Sequence, residues 1–516
     1  MKKILLASLL TAACLPLLNA QEGYWTDPCG APPGKSEWLK KYQQAPQAHY
    51  RSLDTLVYVP LTIHILGNDA GEGYFSTNKL LDALCKLNAD YEQANIVFYV
   101  EGDVHYINNS AWYNHETVVE GAEMMFANNV ENTINTYFVS DPAGNCGYNL
   151  PYAGIAIKKS CSDANEDTWA HEIGHNLSLP HPFLGWEGGV SYDNSIPYDY
   201  NDPAPPYVTY DYTFFKDTLI LDTLIIDTAW VELVDGSNCQ SAADGFCDTE
   251  PDYLAFRWLC NGNAQSQQEQ TDPTGAKFRS DGTLIMGYAE DDCQARFTSE
   301  QIAAMRANLY EEKADYLSNQ TPVPAVSDTP PTLTFPSNDE LVQYDDVYLE
   351  WEPVENASHY VVQVSLLPNF SSSLAKEYLS TEPILLLNDL SSNRTYYWRV
   401  RAYNSHSFCT TPSESRQFKT AQLTSANAIE GVSAPNLFPN PAGSGEPMLL
   451  EFESNSTFSG HLQWRSATGQ LIYQKGVDIT NGSNRLELST SSLPSGLYFL
   501  WLESPRGRLV ERVVVR

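Results

Sequence analysis

Eleven residues, His171-Glu172-Ile173-Gly174-His175-Asn176-Leu177-Ser178-Leu179-Pro180-His181, constrain this chain more than any other stretch. Two histidines four apart stand one above the other on a single helix face, so both imidazoles can reach one metal ion. A third, six residues on, joins them only if the helix ends and the chain turns back. Pro180 cannot continue a helix and favours that exit. Three nitrogen ligands leave the fourth corner of a tetrahedral zinc open to water, as a catalytic site requires. Glu172 lies beside the first ligand, where a carboxylate can take a proton from that water. The flanking Trp169, Ile173, Leu177 and Leu179 suit a helix packed against a core. The expectation is a Zn2+ site with His171, His175 and His181 as ligands and Glu172 as general base.

A chain of 516 residues is too long for one ordinary domain. Its 64 acids against 30 bases give a net charge of −34, which repels nucleic acid and anionic membranes as partners. Lys2-Lys3 before an apolar run from Ile4 to Leu18, closing in Leu18-Asn19-Ala20, reads as a secretory signal peptide over 1–20. No stretch is long and apolar enough to predict a membrane-spanning segment. Loss of Cys14 with the signal leaves nine cysteines, an odd number, so at least one stays unpaired in an oxidising compartment. Cys146 with Cys161 is a plausible bridge, as are two bridges among Cys239, Cys247, Cys260 and Cys293; spacing leaves the connectivity open.

Residues 21–53 form a polar amino-terminal segment. From 54 to 318 the texture is mixed α/β. Strands are expected at Leu56–Ile65 (with Pro60 favouring an edge position), Ile96–Val100, Asn135–Val139 and Gly154–Ile157. Helices are expected after Ser76, over 165–178 and over Ser299–Tyr310. An insertion of 184 to about 240 ends in an alternating stretch, Phe215 to Asp227, that reads as a hairpin. A Pro/Thr/Ser linker, 319–331, leads to short alternating strands over 332–420 with Trp351, Tyr396 and Trp398 as core aromatics, a small sandwich. A second linker, 421–435, precedes a β-rich block, 436–516, in which seven acids balance seven bases.

Three blocks of the α/β region together resemble the metzincin metalloproteases, and among them the pappalysin-like family. They are the 171–181 motif, Asp244-Gly245-Phe246-Cys247-Asp248-Thr249-Glu250-Pro251, and Leu284-Ile285-Met286-Gly287-Tyr288 followed by Arg296-Phe297-Thr298. The resemblance implies a mixed twisted sheet carrying an active-site helix. It makes Met286 the apolar floor of a Met-turn and Tyr288 a catalytic donor to the developing oxyanion. It also places a thiolate or carboxylate of a preceding segment on the zinc, for which Asp27 and Cys29 are the candidates. Ca2+ is a further expectation, with Asp193, Asp199, Asp202, Asp244 and Asp248 as oxygen donors. The family pattern has Gly where this chain has Ser178, a position that needs a left-handed residue.

Residues 332–420 resemble a fibronectin type III domain. Residues 436–516 resemble the sorting domain of type IX secretion substrates through Phe438-Pro439-Asn440-Pro441, Leu493-Pro494-Ser495-Gly496-Leu497-Tyr498 and a basic, β-branched last strand. The full expectation is a metzincin-type α/β catalytic domain followed by two all-β sandwich domains. It would be exported through the periplasm as a zinc endopeptidase, secreted or held at the cell surface, with protein substrates and the secretion machinery as partners. The alternative is a secreted binding or adhesion protein that keeps an inactive protease-like domain.

Overall fold

The computed structural model describes residues 27–516 except 192–197, 214–224, 346, 372–373, 422–428, 430, 444, 467–468 and 492, with Asp27 and Pro28 described by backbone alone. The signal peptide, Asp193 and most of the expected hairpin at 215–227 therefore lie outside the described residues.

The region around the histidine motif is built on one seven-stranded sheet. Its strands are β1 (Asp27–Cys29), β2 (Val57–Gly67), β3 (Ile96–Val100), β4 (His105–Asn108), β5 (Ile134–Val139), β6 (Asn145–Leu150) and β7 (Gly154–Lys158). The order is β1-β6-β7-β5-β2-β3, with β4 also on β2. All pairs are parallel except β6 with β7. Near-continuous burial along β2 and β5 is what a parallel sheet covered on both faces produces.

Pro60 lies in a strand interior to the sheet rather than on an edge strand. It pairs with Tyr99 on one side, while the pairing with β5 begins only at Leu61, so the missing N–H falls where β2 has a single neighbour. Strand β6 was not foreseen, because Asn145-Cys146-Gly147-Tyr148-Asn149-Leu150 lacks a β-branched run. Strand β1 was not foreseen either: the polar amino-terminal segment adds a strand to the sheet, then forms helix α1 (Glu37–Gln44).

Helix α2 (Thr77–Tyr91) is capped by the Ser76 side chain and buries Leu80, Leu81, Leu84, Leu87 and Tyr91, the stripe its spacing predicts. Helices α3 (Val118–Asn128), α4 (Thr168–Asn176) and α5 (Ser299–Glu311) follow. Leu84 and Leu87 of α2, Ile173 of α4 and Met305 of α5 share one core with Ile63, Phe98 and Phe138 of the sheet. The insertion contributes a hairpin, β8 (Tyr207–Asp211) against β9 (Ile226–Trp230), so its first strand lies well before the stretch that alternates most strongly.

Residues 333–421 form a three-stranded and a five-stranded sheet. Their common core holds Trp351, Tyr360, Trp398 and Phe418. Residues 436–515 form a second sandwich of three and four strands, with Gly507–Val515 at an edge of the larger sheet. The modules are joined by more than linkers. Cys85 of α2 is disulfide-bonded to Cys409, and Arg401 Nη1 meets Asp82 Oδ1 at 2.6 Å. Across the next contact, Arg465 Nη2 donates to the Tyr348 hydroxyl at 2.7 Å and His461 Nε2 meets Glu350 at 3.0 Å. The other bridges are Cys146–Cys161, Cys239–Cys247 and Cys260–Cys293, and Cys29 is free.

Candidate metal centre

Helix α4 is held on the sheet by polar contacts as well as by its apolar stripe. Trp169 Nε1 donates to Thr136 Oγ1 at 3.2 Å, and the Tyr91 hydroxyl donates to the Ala170 carbonyl at 3.0 Å. At its start, buried Asp167 contacts Lys86, which also reaches Asp90 at 2.6 Å. At its end, Ser178 N donates to His175 O at 2.9 Å and Leu179 N donates to Gly174 O at 2.9 Å. That pair of bonds is the Schellman termination, and its left-handed residue is Ser178 itself, with φ 73°. The resulting turn, followed by Pro180, brings His181 back over the helix.

The three imidazoles converge. Their Nε2 atoms lie 3.1 Å (His171–His175), 3.2 Å (His171–His181) and 3.0 Å (His175–His181) apart. Nitrogens bound to one tetrahedral zinc at about 2.0–2.1 Å stand about 3.3 Å from one another, so the trio is near the spacing such an ion requires. The tautomers follow from the partners. His171 Nδ1 is 2.7 Å from the Ile285 carbonyl and His175 Nδ1 is 2.7 Å from the Leu179 carbonyl. A carbonyl only accepts, so each Nδ1 carries the proton and each Nε2 presents a bare lone pair. His181 Nδ1 faces Glu187 Oε1 at 3.3 Å in the same manner. Burial holds His171 and His181 down at about 3 and His175 well below its ordinary range, so the rings stand neutral. Three lone pairs aimed at one point repel unless a cation shares them. The donor set fits Zn2+.

Glu172 is fully buried, with the Cys29 thiol and the Asn149 backbone as its polar neighbours, and that burial pushes its pKa up to about 8. Gly147 of β6 makes room for it: a Cβ there would come within 3.0 Å of Glu172 Cγ. Gly174 makes room on the other side of α4, where a Cβ would meet Met286 Sδ at 2.3 Å. Met286 is thus packed beneath the helix, fully buried beside Phe297. Tyr288 flanks the trio, its ring centre 4.9 Å from that of His181, but its hydroxyl donates to the Cys29 carbonyl at 3.1 Å.

Cys29 arrives from the sheet edge. Strand β1 runs parallel to β6, pairing Cys29 with Gly147, and this places Sγ in the cluster. One ligand atom from each of Cys29, His171, His175 and His181 lies within 4.8 Å of all the others. Asp27 pairs with Asn145 through its backbone, and its side chain lies outside the described residues.

Of the five aspartates expected to hold Ca2+, four lie among the described residues. Among the described residues the aspartates form no cluster with three ligand atoms in mutual reach. Asp199 accepts from Asn201 in its own exposed loop, and Asp202 stands exposed nearby. Asp244 is buried and turned to Phe246 N and Thr249 Oγ1, while Asp248 accepts from Glu300 N.

Two residues at the centre were not foreseen. Glu187 orients His181, and Phe183 stacks on that ring with centroids 4.5 Å apart. Both follow His181 within six residues, a position that by itself distinguishes a supporting carboxylate from an ordinary loop acid in no way.

Residues 436–516 match the family described as the secretion system C-terminal sorting domain. No curated protein matches the chain. Among solved structures it is similar to the FN1-FN3 domains of chicken CNTN1, with 14% identity over 37% of this chain and 66% of that one and a TM-score of 0.17. It is also similar to the fn3 domain of human collagen alpha-1(XX), with 24% identity over 22% of this chain and 98% of that one and a TM-score of 0.15. Scores this low carry no argument, and the sandwich of 333–421 is described by its own two sheets. With a sorting domain at 436–516, this chain is an exported protein, secreted or attached at the cell surface.

Proposed function

We propose that residues 54–318 act as a zinc endopeptidase of the pappalysin-like metzincin kind, kept latent by the amino-terminal segment. The observation that carries the reading is the convergence of three neutral imidazoles, each with its bare Nε2 turned to a common point. Zinc held by His171, His175 and His181 would supply a Lewis acid and lower the pKa of bound water to about 7.

Glu172 is the group positioned to take a proton from water and return it to a leaving amine. The Cys29 thiol beside its carboxylate would leave together with the amino-terminal segment. The Tyr288 hydroxyl, on the departure of the Cys29 carbonyl, can donate to an oxygen of a bound peptide. The Cys29 thiol, whose Sγ lies within 4.8 Å of the three histidine nitrogens, would join them in holding the ion and so keep water and substrate out.

Zinc determination on the purified chain, paired with a chelator-sensitive digest of casein, tests the reading. Glu172→Gln should retain zinc and lose nearly all turnover, on the order of a thousandfold or more; near-normal turnover would remove Glu172 from its role. The full-length Cys29→Ala chain should digest casein faster than its parent, and equal rates would end the latency assignment.

A further inference from the structure

Beside the three histidines a cavity of about 480 Å3 opens along the carboxyl end of α4. His175, His181, Asn176, Asn308, Lys41 and Lys313 are among the residues that line it. A second cavity of about 230 Å3 shares Asn176 and Lys313 with the first. The two therefore form one groove with Lys313 at the junction. Part of the amino-terminal segment, Ala31 to Gly34, lies along the larger cavity.

The groove has asparagines and lysines among its lining residues. Asn176 Nδ2 donates to Asn149 Oδ1, and Asn308 Nδ2 donates to Ser178 Oγ, both at 3.0 Å. The Oδ1 atoms of both asparagines are buried and accept from nothing. Lys313 has no ion-pair partner among the described residues; its ammonium lies over the Tyr316 ring, 5.2 Å from the centroid. The acids nearby are occupied or in solvent. Glu187 serves His181 and Gly185 N, Glu312 is exposed, and Glu37 pairs with Lys40 on the amino-terminal segment. A half-buried ammonium on which only the exposed Glu312 carboxylate acts, with no ion pair formed, attracts a further carboxylate.

We propose that this groove is a substrate subsite that selects an acidic side chain, with Lys313 as the specificity-determining residue. The proposal rests on the peptidase reading and names the substrate class that reading leaves open. Burial, which draws the Lys313 pKa down to about 8, is consistent with an ammonium that gains from a bound carboxylate.

Cleavage-site mapping tests it. The zinc-loaded, full-length Cys29→Ala chain digests a mixed peptide library, and the fragments are sequenced by mass spectrometry. Asp or Glu should be enriched about fivefold or more at one position beside the cut. The enrichment should vanish in Lys313→Met and give way to Lys or Arg in Lys313→Glu, a reversal that a merely structural role would not produce. Cleavage without acidic preference, or a preference unmoved in Lys313→Glu, overturns the subsite and leaves the peptidase standing. No cleavage at all by the folded, zinc-loaded chain overturns the peptidase reading and the subsite with it.

Discussion

Ser178 holds a φ of 73° at the one position where α4 must stop for His181 to return. A left-handed conformation costs a non-glycine residue about 1–2 kcal/mol. The hydroxyl offsets part of this, because it accepts from Asn308 Nδ2 at 3.0 Å and meets Ser36 Oγ at 3.4 Å, bonds a glycine could not make. The substitution therefore ties the ligand-bearing turn to α5 and to the amino-terminal segment. His64 shows a different residue-scale constraint. It is fully buried, faces Asn135 Oδ1 through Nε2 at 3.0 Å, and stacks on Tyr137 with centroids 4.1 Å apart. Burial lowers its pKa to about 4, helped by the neighbouring His105 ring. The unfolded chain takes up a proton near pH 6.5 that the native ring refuses until about pH 4. Stability from the neutral ring is thus complete above pH 6.5 and lost as pH falls toward 4, by at most about 3 kcal/mol. Thermal melts between pH 7 and 4 should show that slope, and His64→Phe should flatten it; an unchanged slope would assign the acid sensitivity elsewhere.

At the scale of elements, α4 is a platform whose two glycine contacts matter as much as its histidines. Gly174 faces Met286 and Gly147 faces Glu172, so the helix sits closer to its neighbours than any larger residue would allow. Gly174→Ala should destabilise the protein by roughly 1–3 kcal/mol, since Met286 must move from beneath the helix. Zinc affinity should fall with it, because Ile285, next to Met286, holds the His171 ring. Calorimetric melting and zinc titration check the two effects, and an Ala variant that melts and binds like its parent would show that Met286 has room to shift. Most elements of this region are legible as periodicity: α2 from its leucine spacing, β3 from a β-branched and aromatic run, α5 from its Thr298 capping box. Strands β1 and β6 are not. Their residues carry weak strand preference, and what pairs them is the edge of a sheet assembled from distant segments.

At the scale of the whole molecule, the three folded regions form a contiguous body along 27–516. The middle sandwich is fastened to α2 by Cys85–Cys409 and by Arg401 with Asp82, and to β3 by Val100 N donating to Ser405 O at 2.9 Å. Its Val361 and Phe408 join the core that also holds Ile173 of α4. Since α2 braces α4 through Tyr91 and Lys86, the sandwich indirectly supports the histidines. Replacing both Cys85 and Cys409 by Ser should cost roughly 2–5 kcal/mol and separate the melting of the sandwich from that of the α/β region. A single unchanged transition would show that the noncovalent contacts suffice.

The sequence by itself determined that His171 and His175 share one helix face, because a four-residue helical step is local geometry. It likewise determined the export address, which lies in one contiguous block, and the sandwich texture of the last two modules, which period-two alternation reports. Only the tertiary structure decided what surrounds those histidines: the Cys29 thiol beside the three imidazoles, Glu187 against His181, and the Cys85–Cys409 clasp. Each depends on segments far apart in the chain, or on which way a loop turns, and packing sets these where no local pattern does.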